Sequence, residues 1–231
     1  MISNSKIAQR IRTDIVAGVL PFGSRLTIDQ LASRYETSHM PVREALRELV
    51  GEGIVVAEPN RGARVRTIDE SFVSELMNVR AGIEGHLARR AAERATSQQI
   101  EQLWAIENEL EQNIEDGDYV AELAANRKLH TLINTIADSP DATIIVDRHW
   151  FLLAALWQQY GYGPDRFAGV ANDHQHLILA FEAKDGKAAE LIMSAHVMKS
   201  KQIMTRQMRQ TITASDNTPD RSSAQPSGKS K

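Results

Sequence analysis

The sequence predicts a mainly α protein, with an N-terminal winged helix-turn-helix over residues 1–67 and a C-terminal all-α helical bundle over residues 68–211. In the first region, three short segments with helical spacing of apolar residues precede a β-hairpin pattern. From residue 69 onward, longer helical segments follow one another with no strand pattern between them. The chain has 231 residues, of which 42% are hydrophobic and 25% charged, which is enough for two such domains.

Two helices open the predicted N-terminal domain. The first has isoleucines at four-residue steps, Ile7, Ile11 and Ile15. The second begins at a capping box, in which Thr27 stands three residues before Gln30. Both patterns are typical of short amphipathic helices.

A third helix and a hairpin complete this domain. Ser38 can cap the helix, and Pro41 falls in its first turn, where a missing N–H does no harm. Its core face consists of four apolar residues: Val42, Ala45, Leu46 and Leu49. The stretches "IVVAEP" and "ARVRT" then flank "NRG", which predicts a hairpin with Gly62 at the turn. Three helices followed by a hairpin predict a winged helix-turn-helix.

A polar stripe on the third helix indicates a binding function. His39, Arg43 and Arg47 follow one another at four-residue steps, away from the core face. Such a stripe is usually a solvated surface, and acidic residues lie beside this one. The short turn before the helix and the basic hairpin tip after it favour a recognition helix for the DNA major groove. Arg61, at the tip, would enter the neighbouring minor groove.

The charge distribution supports a polyanionic partner for the first domain. Residues 1–66 contain ten Lys and Arg against seven Asp and Glu, whereas residues 67–211 contain 14 against 21. Residues 212–231 are polar and rich in Ser and Pro, which predicts a disordered tail. The sequence shows neither a signal peptide nor a membrane span, so we expect a cytoplasmic protein with no membrane partner.

The predicted bundle has six helices. Apolar residues mark the first, Phe72, Leu76, Ile83 and Leu87, and the second, Ile100, Leu103, Leu110 and Ile114. The other four are expected over residues 118–137, 141–160, 165–183 and 186 to about 210.

Three histidines on apolar faces of these helices suggest a metal site. They are His130, His174 and His196, and Asn126 lies one turn before the first of them. A single core histidine is usually a hydrogen-bonded structural residue. Three on separate helices are better explained by convergence on a metal ion, since neutral imidazole is a common ligand of zinc and similar ions. Three protein nitrogens would leave positions open for water or a carboxylate.

Arg80 is the second unusual residue of the bundle, because it lies on an inward face. A buried guanidinium requires an anionic partner. Glu84, one turn away, would form a structural salt bridge. Alternatively, Arg80 would hold the carboxylate of an effector in bidentate fashion.

The N-terminal region resembles a known family. The stretch "LTIDQLASRYETSHMPVREALRELVGEGIVVAEPNRGARV" is similar to the GntR family of bacterial transcription regulators. The resemblance implies DNA contacts from the third helix and the wing, at Ser38, His39, Met40, Arg43, Arg61 and Gly62. The family often has Arg where this chain has Asp29 and His39, so its base preference is expected to differ.

Asn126 and His130 form the pattern N-x-x-x-H, His174 follows 44 residues later and His196 another 22 residues later. With this spacing the C-terminal region resembles the FCD ligand-binding domain of the FadR-type subfamily. Many members bind a divalent metal through Asp-x-x-x-His and two later histidines. The resemblance therefore implies the ligand set Asn126, His130, His174 and His196, with Asn126 where Asp is most frequent, and zinc, nickel or manganese as the ion. It leaves three other histidines as surface or structural residues: His86, His149 and His176.

These observations favour a ligand-responsive transcription regulator, and more specifically a repressor. It would bind an inverted-repeat operator as a homodimer, and a small organic or sugar acid would enter the bundle. The resemblance favours Arg80 as the effector clamp. One alternative is a metal-dependent hydrolase with a DNA-binding head, but neither HExxH nor a nucleophile elbow is present, so we expect no enzymatic activity. The other is a constitutive DNA-binding protein with a structural metal.

Overall fold

The structure is a computed structural model that describes residues 4–58, 62–161 and 169–216. The head, residues 4–67, has three helices and three strands: α1 (Asn4–Val16), β1 (Arg25–Leu26), α2 (Ile28–Arg34), α3 (His39–Gly51), β2 (Val55–Glu58) and β3 (Gly62–Val65). The body, residues 68–216, has α4 (Glu70–Arg94), α5 (Ser97–Glu115), α6 (Tyr119–Ala137), α7 (Pro140–Tyr160), α8 (Val170–Glu182) and α9 (Gly186–Asp216). The predicted mainly α fold class is confirmed.

The head packs its helices against a small antiparallel sheet of order β1-β3-β2. The sequence analysis missed β1, in which Arg25 and Leu26 pair with Arg64 and Ala63 of β3. Two residues are too few to show the alternation by which a strand is recognised. The strand β1 forms because β3 of the hairpin pairs with it, so it depends on tertiary structure.

The body is a helical bundle organised around α4 and α9, which pack along each other. Gly85 of α4 allows their close approach, because a Cβ atom there would clash with the Ser194 side chain and lie 3.1 Å from the Glu190 carbonyl oxygen. The helices α5 and α8 pack against each other, α6 lies against α4 and α5, and α8 lies against α9.

The end of the last helix differs from the prediction. The helix expected to end near residue 210 continues to Asp216, so residues 212–216 belong to α9 rather than to a disordered tail. The tail prediction for residues 217–231 lies outside the described residues, as does the predicted start of α8 at residue 165. None of the helices in the described part of the chain is both long and apolar enough to cross a membrane.

The head contacts the body through α7. Ala155 of α7 is buried in the same apolar cluster as the head residues Ile7 and Ile11. Phe151 of α7 and Phe22 of the head pack against both the head core and the body core. One helix of the bundle therefore forms part of the head core.

Candidate DNA interface and metal centre

The residues predicted to contact DNA are exposed on the head. Arg43 and Arg47 of α3 line one groove together with Gly62 of the wing. The floor of this groove is apolar: Leu26, Ile28, Leu46, Val50, Ala57 and Ala63. Arg61 lies outside the described residues.

The N-terminus of α3 differs in one detail from the prediction. Ser38 occupies the N-cap position with an extended backbone, but its side chain makes no capping hydrogen bond. Ser38, His39 and Met40 are exposed there. His39 Nε2 lies 3.1 Å from Asp29 Oδ1, so the two positions of the head at which this chain departs from the family pattern contact each other. A hydroxyl and free N–H groups at a helix N-terminus suit a phosphate oxygen.

An acidic residue of α3 is held away from the arginine stripe. Glu48 Oε1 accepts a hydrogen bond of 2.7 Å from Arg12 Nη2 of α1, and Glu52 accepts from the same guanidinium. The negative charge next to Arg47 is therefore partly balanced within the head.

In the body, the three predicted histidines converge. His130 comes from α6, His174 from α8 and His196 from α9, and all three are buried. One potential ligand atom from each lies within 4.8 Å of the others. Two nitrogens bound to one tetrahedral zinc ion are about 3.4 Å apart, so loading requires the most distant pair to approach by up to about 1.4 Å.

Each of these histidines contacts a carboxylate through Nδ1. The pairs are His130 with Glu84 at 2.9 Å, His174 with Glu107 at 2.9 Å, and His196 with Asp173 at 3.3 Å. Where the carboxylate is ionised, it accepts the Nδ1 proton, which leaves the Nε2 lone pair as the ligand atom; Glu107, with its raised pKa of about 8, is mostly ionised only above that pH. Carboxylate partners of this kind are the usual way to orient a metal-binding imidazole and increase its basicity.

Burial controls the protonation of this centre. Desolvation lowers the pKa of His196 to about 3, so the ring is neutral, as a metal ligand must be. Burial alone would raise the pKa of Glu84, but Arg80 and His130 together hold it below its usual value. Burial raises the pKa of Glu107 to about 8, and the nearby charge of Glu111 adds to the shift.

Asn126 provides the test of whether these residues suit a metal. Its Oδ1 atom is buried and makes no hydrogen bond to any described residue, and the side chain lines a cavity with His130 and His196. A buried amide oxygen without a partner is unfavourable by about 1–3 kcal/mol. The donor set of three imidazoles and one amide oxygen fits a divalent cation such as zinc.

Arg80 forms the salt bridge that the sequence left as one of two alternatives. It is 1% exposed, and Nη2 lies 2.6 Å from Glu84 Oε1. Nη1 donates to the Val146 carbonyl oxygen at 2.9 Å, and the Trp150 ring lies 5.6 Å from the guanidinium carbon. Nε has no hydrogen-bond partner among the described residues. Glu84 thus connects Arg80 with His130.

The cavity beside the centre is small. It offers about 30 Å³ of space to the centres of water-sized molecules. Arg80, Glu84, Asn126, His130 and His196 line it. Apolar side chains form the rest of the wall, together with Ser200.

Sequence reasoning missed two of the carboxylate partners. Glu107 lies between Leu103 and Leu110 on the buried stripe of α5, and this interruption of an apolar face was a usable signal. Asp173 is adjacent to His174 in sequence but pairs with His196. Of the histidines assigned to the surface or to structure, His86 and His176 are exposed and His149 is half-buried.

Comparison with known proteins identifies both parts of the chain. Residues 4–65 match the family described as bacterial regulatory proteins, gntR family, and residues 75–199 match the FCD domain. The HTH-type transcriptional repressor RspR of Escherichia coli K12 is 30% identical over 229 residues, covering 90% of each chain. The probable D-xylose utilization operon transcriptional repressor of Paenarthrobacter nicotinovorans is 26% identical over 203 residues, covering 84% of each.

A solved structure has the same fold. E. coli McbR/YncC superposes with a TM-score of 0.74 at 22% identity, over 90% of this chain and 100% of that one. The relatives are named as transcriptional repressors rather than as enzymes, which supports the regulator and not the hydrolase alternative. With a gntR-type head and an FCD body, the chain belongs to the GntR family of bacterial transcription regulators.

Proposed function

We propose that this regulator is a metal-dependent repressor. When a small carboxylate binds in the body, the protein would leave its operator or change its arrangement on it. The observation that carries the proposal is the cluster of His130, His174 and His196, each buried and each paired through Nδ1 with a carboxylate. The names of two relatives, both repressors, support the sign of the regulation.

The charges of the site favour an anionic effector. Arg80 is balanced by Glu84, and Asn126 contributes no formal charge where the family usually has a carboxylate. A bound divalent cation would supply positive charge and open coordination positions for a carboxylate oxygen. Arg80 would add its Nε, which lacks a hydrogen-bond partner among the described residues. Arg80 would therefore still hold the effector carboxylate, but more weakly than a free guanidinium would, since Glu84 already occupies one side of it.

On DNA, we propose that two copies bind an inverted repeat in the cytoplasm. The helix α3 would lie in the major groove, with Ser38, His39, Met40, Arg43 and Arg47 contacting bases or phosphates. One recognition helix of 13 residues specifies few bases, which is the reason for expecting a homodimer. The wing at Gly62 and Arg61 would contact the adjacent groove.

The helix α7 supplies a route from the effector cavity to the head. Val146 accepts a hydrogen bond from Arg80, and Trp150 lines the cavity. Phe151 and Ala155, further along the same helix, pack into the head core. A ligand that binds one position of α7 more tightly than another would therefore shift the head between two arrangements.

Elemental analysis tests the metal part of the proposal. The purified chain should contain about one divalent ion per copy, and a His130→Ala/His174→Ala/His196→Ala variant should contain none. Full occupancy in that variant would contradict the site. Asn126→Asp should bind the ion more tightly, because it restores a charged ligand; weaker binding would show that Asn126 does not contact the ion.

Gel-shift titration tests the coupling. The effector should change operator affinity by about 5- to 150-fold in the wild-type chain. Arg80→Lys keeps a cation beside Glu84 but lacks Nε, so it should bind operator normally and respond less to the effector. An unchanged response would make Arg80 purely structural, and no response of the wild-type chain to any acid would favour constitutive binding.

A further inference from the structure

We infer that the effector is a short aliphatic monocarboxylate, rather than a sugar acid or a dicarboxylate. This inference rests on the proposed function, since it specifies which carboxylates enter the cavity beside His130 and His196. It follows from the size of that cavity, the chemistry of its wall and its balance of charge.

The size of the cavity restricts the length of the ligand. The centres of water-sized molecules can occupy about 30 Å³ of it. So small a space favours a carboxylate with a short chain over a larger ligand such as a six-carbon sugar acid.

The wall of the cavity restricts the chemistry of the chain attached to the carboxylate. Its apolar part is formed by seven side chains: Met77, Leu123, Trp150, Leu153, Ala154, Trp157 and Val197. Beyond the metal-centre residues and the Arg80–Glu84 pair, Ser200 and the two indoles are the polar groups that line it. An indole N–H can only donate, so several ligand hydroxyls would lack acceptors. Each buried hydroxyl without a partner lowers affinity by about tenfold.

The charges around the cavity match one carboxylate. Among the lining residues, Arg80 is the sole permanently charged cation, and its charge is balanced by Glu84 at 2.6 Å. Arg127 lies behind Trp150, with its guanidinium carbon 4.9 Å from that ring, and it is paired with Asp147. A bound divalent ion would take the first carboxylate, so a second one at the other end of the ligand would lie against the apolar wall away from the ion, with no cation beside it, which is unfavourable.

Calorimetric titration of the zinc-loaded full-length chain tests the inference. The probes are acetate, propionate and butyrate, compared with gluconate and succinate. We expect propionate or butyrate to bind at least about tenfold more tightly than gluconate or succinate. Tighter binding of gluconate or succinate would overturn the inference while leaving the proposed carboxylate sensing intact. Binding of no acid at all would overturn both.

Two substitutions of Leu123 provide a structural test. Leu123 is only half-buried, so its replacement should leave the bundle folded. Leu123→Ala enlarges the cavity and should shift the preference toward longer chains, whereas Leu123→Phe fills it and should shift the preference toward acetate. Circular dichroism confirms that each variant is folded. If both folded variants keep the wild-type order of acids, this cavity does not select the effector and the inference is wrong.

Discussion

The head and the body place their arginines in opposite environments. Arg43 and Arg47 of the head are exposed on α3, whereas Arg80 of the body is buried and paired with Glu84. An exposed cation remains solvated until a polyanion such as DNA replaces its counterions. A buried cation needs an anion in the folded chain itself. The same residue type is thus available for an external partner in the head and already committed to an internal one in the body.

The histidines show the same difference. His39 of the head is exposed and contacts Asp29 across two helices. His130, His174 and His196 are buried and held by carboxylates of the body. The exposed stripe of His39, Arg43 and Arg47 lies on one helix, whereas the buried histidine site requires residues from three helices to meet.

The largest effect on stability is expected when the buried anion is removed. Glu84→Ala leaves Arg80 without its charged partner and should lower the free energy of unfolding by about 3–5 kcal/mol. Glu93→Ala is the matched control, because Glu93 pairs with Arg89 on the same helix at the same spacing but on the surface. Its expected loss is at most about 1 kcal/mol. Urea denaturation measures both, and equal losses would refute the distinction between buried and exposed pairs.

The next effect concerns the exposed arginines of the head. Arg43→Ala should weaken operator binding by about 1–3 kcal/mol if Arg43 contacts a base edge. Gel shifts against an operator selected from random DNA and against a scrambled sequence measure the change. Arg89→Ala, which removes an exposed arginine from the body, serves as the control and should have little effect. If the Arg43 variant binds both DNAs as the wild type does, α3 is not the recognition helix.

A comparable effect is expected at the partner of a buried histidine. Above about pH 8, where Glu107 is ionised, Glu107→Gln keeps the shape of the side chain but replaces the charged acceptor of the His174 Nδ1 proton by a neutral amide oxygen. Metal affinity should fall by about 10- to 100-fold, measured by competition with a chromophoric chelator. Glu109→Gln changes an exposed carboxylate of the same helix, which contacts Lys128, and should leave affinity unchanged. If the two variants lose affinity equally, the His174 contact is not responsible.

The smallest effect compares two helix starts. Thr96 and Gln99 form a complete capping box at the start of α5, so Thr96→Ala should lower stability by about 1 kcal/mol. Ser38 makes no capping bond, so Ser38→Ala should change stability by less than about 0.5 kcal/mol while weakening DNA binding. Thermal unfolding and gel shifts separate the two properties. A large loss of stability in the Ser38 variant would show that its hydroxyl caps α3 in solution.

Much of the candidate site was predictable because it depends on helical periodicity. His130, His174 and His196 each lie on the apolar stripe of their own helix, and the stripe alone indicates burial. Family spacing then selected His174 over His176, which is exposed. Glu107 interrupts the apolar stripe of α5, but its partner His174 lies 67 residues away, so the periodicity of one helix does not indicate the pairing.

By itself, the sequence determined the order of the helices, the faces they bury and the basic stripe of α3, because these features depend on neighbours within a few residues. Only the tertiary structure decided that Arg80 meets Glu84 and Val146, that Glu107 holds His174 from 67 residues away, and that β1 exists. The physical reason is that packing sets the distances between helices. Periodicity shows which side of a helix turns inward, but which side chain it meets there is decided by the neighbouring helix.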